Sequence, residues 1–150
     1  MSTDLSLRPI EIETDRAHLL ALLNAQQLPV EDIGDHTRLY GLWQGDALIG
    51  SGALEYYGDA ALLRSVAVAD AMQGQGYGVF ITGALERQAR AEGATVLILL
   101  TTTAGKFFAK QGYESIDRSE APSALRQSSE FAAVCPSTAT VMRKGLGSQC

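Results

Sequence analysis

Three glycines alternate through Gln73-Gly74-Gln75-Gly76-Tyr77-Gly78, directly between an apolar stretch, Leu62 to Val68, and a segment that reads as helix from Tyr77 to Glu92. The first amides of a helix have no partner within it. They point outward with partial positive charge and favour phosphate. Glycine lets the backbone approach such a group with no side chain in the way. The loop therefore reads as a phosphate site at the end of a buried strand.

Two common phosphate loops do not fit. A dinucleotide-binding turn needs its third glycine where Val79 stands, and an acidic residue about 20 positions on. No Asp or Glu occurs between Gly93 and Glu114. A nucleotide P-loop needs Gly-Lys followed by Ser or Thr, which the chain lacks. A glycine-rich turn with no ligand is the plain alternative.

Periodicity and breakers place the other elements. Leu5 to Ile12 reads as a strand. Thr14 and Asp15 start a helix whose leucine face (Leu19, Leu20, Leu22, Leu23) is closed by Pro29. Thr37–Gln44 and Ala47–Tyr57 form a hairpin about Gly45-Asp46. After the glycine loop and its helix come a buried strand from Thr95 to Leu100 and a short helix from Ala104 to Gln111. Strands follow from Glu114 to Arg118 and from Ala139 to Arg143, on either side of a polar segment from Ser119 to Ser137. Mixed order of this kind predicts an α/β fold with helices on the faces of one sheet. A chain of 150 residues without a linker suits one domain over residues 1–150.

The segment Gln73-x-x-Gly76-x-Gly78 resembles the pyrophosphate loop of the Gcn5-related N-acetyltransferases, the GNAT superfamily. Ala104-Gly105-Lys106-Phe107-Phe108-Ala109-Lys110-Gln111-Gly112-Tyr113 resembles a second motif of that family, in the right order and at the right separation. The resemblance implies a mixed, mostly antiparallel sheet flanked by helices, with acetyl-CoA as cofactor. It also implies direct transfer of the acetyl group to a small-molecule amine in a ternary complex. Related proteins commonly form homodimers. Leu63-Arg64-Ser65, Thr101-Thr102-Thr103-Ala104, Glu130-Phe131 and Cys135-Pro136-x-Thr138 are similar to the small acetyltransferases associated with arsenic resistance, which implies an amino-acid-like acceptor.

On that resemblance, residues Gln73, Gly74, Gln75, Gly76, Tyr77 and Gly78 hold the diphosphate, and Val66, Ala67 and Val68 run beside the pantetheine arm. Thr101, Phe107 and Phe108 complete the cofactor set, and an amide near Val66 polarises the acetyl carbonyl. Phe108 stands where the family often has a tyrosine that protonates the leaving thiolate, and phenylalanine cannot donate. Tyr113 reads as core packing. Glu55 is either a base for the amine or an exposed strand charge. Arg64 interrupts an apolar strand, so it needs a partner. That partner is either an internal carboxylate, with Glu55 a candidate, or the carboxylate of an acceptor. Ser65 and Arg118 join Arg64 as candidate acceptor contacts.

Composition bounds the partners. A net charge of −5 argues against a general hold on nucleic acid or anionic membrane. The longest aliphatic run, Val96 to Leu100, is far short of the ~20 residues that span a bilayer. Two cysteines, Cys135 and Cys150, make no disulfide framework, and no metal cluster is evident. These features predict a cytoplasmic protein. Both histidines, His18 and His36, read as surface residues.

Overall fold

The computed structural model describes residues 5–28, 30–126 and 139–146. Among them run seven strands: β1 (Leu5–Pro9), β2 (Arg38–Gln44), β3 (Ala47–Tyr57), β4 (Ala60–Val68), β5 (Val96–Thr101), β6 (Glu114–Ile116) and β7 (Thr140–Gly145). The helices are α1 (Glu13–Ala25), α2 (Tyr77–Ala91), α3 (Gly105–Lys110) and α4 (Ser123–Arg126). One mixed sheet has the order β1-β2-β3-β4-β5-β7-β6. Every pairing is antiparallel except β4 with β5. The expected α/β fold is present.

Several boundaries differ from the sequence reading. The first strand stops at Pro9, and α1 begins at Glu13 with no side-chain cap from the residue before it. Glu13 and Asp15 both fall in its first turn, where their charge suits the helix dipole. The strand at Glu114 ends at Ile116, because Asp117 and Glu120 form a reciprocal capping box that turns the chain into a 3-10 turn at Arg118–Glu120. Pro29, Glu130, Phe131, Cys135, Pro136, Thr138 and Cys150 lie outside the described residues.

Strand alternation sends side chains to two apolar layers. On one face Leu54, Leu63 and Leu97 meet Ile81, Leu85 and Ala89 of α2, with Phe108 of α3 beside them. On the other, Ala53 and Ala67 meet Leu19 and Leu23 of α1. Further along that second face Ala60, Leu62 and Ile98 meet Leu125 of α4. Helix α2 comes so close to the sheet that a Cβ on Gly52 would lie 2.4 Å from Leu85 Cδ1 and 3.0 Å from Ile81 Cγ2. Leu85 and Ile81 are fully buried, so only glycine fits there.

Two irregularities shape the middle of the sheet. Ser51 pairs with Ala67 but Ala53 pairs with Arg64, so Ser65 and Val66 together face Gly52 in a β-bulge. Ser65 has φ of 60°, a left-handed conformation costing an ordinary residue roughly 1–2 kcal/mol. The parallel ladder of β4 and β5 covers only Ala60↔Val96, Ala61↔Leu97 and Leu62↔Ile98. Beyond Leu62 the two strands part.

Candidate active site

The parting of β4 and β5 opens a cleft of about 680 Å³. One wall is β4 from Leu63 to Val68, and the other is Leu99 to Thr101 with Ala104, Phe107 and Phe108. Gln73, Gly74, Gly76, Tyr77 and Gly78 close one end. Most of the residues expected at the cofactor are thus brought together. Gln75 is exposed and does not line the cleft.

The glycine loop is built for close approach. Gly74 and Gly76 have φ of 82° and 88°, which an L side chain rarely adopts, and a Cβ at either would meet nothing within 4 Å. Gly76 is the residue before α2, so the free amides of that helix open beside it. No acidic side chain lies in the helix's first turn to compete for them. Gln73 was expected as a donor to the cofactor, but its amide is used within the chain. Its Nε2 donates to the carbonyl of Val68 (3.0 Å) and to Gln26 Oε1 (3.1 Å), which ties the loop to β4 and to the end of α1.

The far wall is apolar. Phe107 and Phe108 meet edge to face at 4.9 Å, and Phe108 meets Tyr113 the same way at 5.6 Å. Thr101 accepts a hydrogen bond from the Ala104 amide (2.8 Å) and so shapes the entry to α3. Tyr113 is buried in the core and donates to Glu86 Oε2 (3.0 Å). Burial, with Glu86 beside it, drives its phenol pKa far up, so it stays neutral.

Behind β4 lies a charged network. Arg64 Nη1 and Nη2 donate to the two oxygens of Asp32 at 2.6 and 2.7 Å. Arg64 Nη1 also donates to Glu55 Oε2 at 3.1 Å. Glu55 accepts from the Thr37 hydroxyl at 2.6 Å and from the Tyr57 hydroxyl at 2.7 Å. The side chains of Arg64, Asp32 and Glu55 are 2%, 5% and 2% exposed. Glu55 is therefore not an exposed strand charge: it shares the face of Leu62, which α1, α4 and their connections cover. The internal ion pair anticipated for Arg64 is present, with Asp32 as the nearer carboxylate. An acceptor carboxylate would have to compete with both. Arg118 sits in the 3-10 turn after β6 and does not line the cleft. His36 is half exposed, as expected, yet its Nε2 lies 3.4 Å from Glu55 Oε2. His18 is exposed.

Burial pushes the Asp32 carboxyl up, but the hydrogen bonds and charge of Arg64 more than offset this and hold it below its ordinary value. A depressed acid stabilises the fold above the unfolded pKa, about 3.9, and that contribution is lost as pH falls through the folded value. Asp32→Asn is expected to flatten this part of the acid limb. Urea midpoints measured from neutral pH down to about pH 3 check this. An equally steep fall in wild type and variant would count against it.

Sequence reasoning missed Gln26, Leu28 and Met72, which also line the cleft, and it missed Asp32. Each arrives from a connection rather than from a motif, so no local signal marked it. The bulge at Ser65 left no trace either, because serine is an ordinary residue within a strand.

The acetyltransferase (GNAT) domain family matches residues 35–115. No curated protein matches the chain in sequence. Among solved structures, N-acetylglutamate synthase from Neisseria gonorrhoeae, complexed with coenzyme A and N-acetyl-glutamate, aligns with TM-score 0.82 and 21% identity. That alignment covers 98% of this chain but only 36% of the synthase. Rv2747 from Mycobacterium tuberculosis, determined with CoA, aligns with TM-score 0.75 and 20% identity over 93% of this chain and 98% of that one. An acetyltransferase from Streptococcus agalactiae aligns with TM-score 0.73 and 17% identity over 94% and 98%. At these identities the likeness is one of fold.

Proposed function

Because this chain belongs to the acetyltransferase (GNAT) domain family, we propose that it transfers an acetyl group from acetyl-CoA to the amine of a small acceptor. The observation that carries this is the cleft itself. A left-handed glycine loop at a helix start lies at one end, and a strand freed from its parallel neighbour forms the side. A diphosphate fits the loop, and an extended pantetheine fits the strand as an added strand would.

When bound, acetyl-CoA supplies an acetyl thioester open to attack by an amine. The chain's own residues bind and orient it. Amides of residues 73–78 hold the diphosphate. Backbone groups of Val66, Ala67 and Val68 align the arm, and an amide at Val66 or Ala67 donates to the thioester oxygen. A donor of that kind is worth about 2.7–4 kcal/mol in the transition state. Phe107 and Phe108 exclude water from the far wall. Ser65 lines the cleft at the bulge and is the proposed acceptor contact. Glu55 as base needs a proton path through its hydrogen-bond partners, since its carboxylate lies behind the strand. No protein acid is assigned to the thiolate, whose ordinary pKa near 8.5 allows it to leave with solvent help.

An amino acid or amino-acid analogue is the proposed acceptor, in the manner of the arsenic-resistance acetyltransferases. N-acetyl-glutamate in the synthase complex supports an acceptor of this class. Calorimetry with coenzyme A, followed by thiol release from acetyl-CoA against a panel of amino acids that includes arsenical ones, tests the reading. The expected result is binding, with turnover on at least one amino acid. No uptake of coenzyme A or its thioesters would overturn it. Phe108 favours a second reading, a non-catalytic acyl-CoA-binding module, which predicts binding without turnover across the panel.

A further inference from the structure

Ser65 holds a left-handed conformation within a strand, and something must hold it there. From one side the Ser51 hydroxyl donates to the Ser65 carbonyl at 2.7 Å. From the other, the residue just before Ser65 is Arg64. Its guanidinium is gripped by Asp32 from the α1–β2 connection and by Glu55 from β3. Thr37 and Tyr57 fix Glu55 in turn. Arg64 also lines the cleft, so the network reaches from beneath the sheet to the wall on which the proposed oxyanion amide lies. A strand without this clamp could regain regular pairing with β3, and recovering one residue of register turns the side chains and amides that follow.

We propose that Arg64, held by Asp32 and Glu55, is a positioning residue that fixes the Ser65–Val66 bulge and thereby aims the backbone donor at the thioester carbonyl. It acts through the bulge, with its guanidinium engaged by Asp32 and Glu55 instead of by cofactor or acceptor. This rests on the acetyl-transfer reading above.

Arg64→Lys keeps the charge but loses the planar fork that spans two carboxylates. Asp32→Asn keeps Arg64 and removes one charge from the grip. Each variant is compared with wild type, as the full chain, by three measurements. These are coenzyme A affinity by calorimetry, kcat by thiol release, and the infrared carbonyl stretch of bound acetyl-CoA labelled with ¹³C in the acetyl group. The expected result for both variants is affinity within about threefold of wild type and kcat lowered at least about tenfold, with a carbonyl stretch moved back towards that of the free thioester. A merely structural role would not move the stretch at constant affinity. Wild-type stretch and kcat in either folded variant would overturn the proposal, as would affinity and kcat falling in parallel. The wild-type arm separates the two readings. Wild-type protein that binds acetyl-CoA with an unshifted carbonyl overturns the positioning role alone, whereas wild-type protein that does not bind overturns both.

Discussion

Replacing Arg64 with alanine is expected to lower the free energy of unfolding by about 3–5 kcal/mol. The size follows from what the substitution leaves behind. Asp32 and Glu55 would face one another in a site that is almost wholly shielded from water, with no guanidinium between them. An uncompensated buried carboxylate is among the few causes of so large a loss. Truncating the stem adds a cavity on the second face of the sheet. The check is a urea titration with the slope held in view, since a shifted midpoint at constant slope reports stability alone. A double-mutant cycle with Asp32→Ala should show strong coupling, because removing the second charge relieves part of the penalty. A loss below about 1 kcal/mol would mean that water reaches the network.

The second large effect falls on the glycine loop. Gly76→Val is expected to weaken coenzyme A binding about 100-fold, or about 2.7 kcal/mol. Clash within the protein is not the cause, since a Cβ at Gly76 meets nothing within 4 Å. Two other effects act together. A β-branched residue is a true outlier at the φ of 88° that the loop requires. Its methyl groups would also stand where the helix amides meet phosphate. Gln75→Ala is the control, because it keeps the backbone amide of the loop and removes only a side chain that is exposed and outside the cleft. Its affinity should stay within about threefold of wild type. Calorimetry with coenzyme A reads both, and an unchanged affinity for Gly76→Val would remove the loop from the site.

The loop was legible because glycine reports backbone need in its own identity. Gly74 and Gly76 announce left-handed positions, and the apolar strand and helix on either side supply the context. The two phenylalanines were legible only through the resemblance of Ala104 to Tyr113 to a family motif. The network behind β4 was legible only in part: Arg64 needed a partner and Glu55 was a candidate, but the burial of Glu55 and the part played by Asp32 did not show. Glu55 falls between Leu54 and Tyr56 in a pattern that reads as a strand with one wet face. That face is covered by elements distant in sequence, α1 and α4, and only tertiary packing shows it. Asp32 sits in a connection of mixed composition with nothing to set it apart from Asp35 or Glu31. The Ser65 bulge depends on a register between β3 and β4, and register is a property of two strands together.

The brief parallel ladder has a mechanical consequence. In the sheet itself, a ladder of three residue pairs joins the four-stranded leaf, β1 to β4, to the three-stranded leaf, β5 to β7. Past Leu62 no ladder joins the two leaves, so along this seam they are least tied where the cleft begins. A cofactor lying across it, gripping the glycine loop with one end and touching Phe107 and Phe108 with its side, would act as a clasp. Loading the protein would then raise its resistance to unfolding at the seam, where the bare protein is least able to supply it.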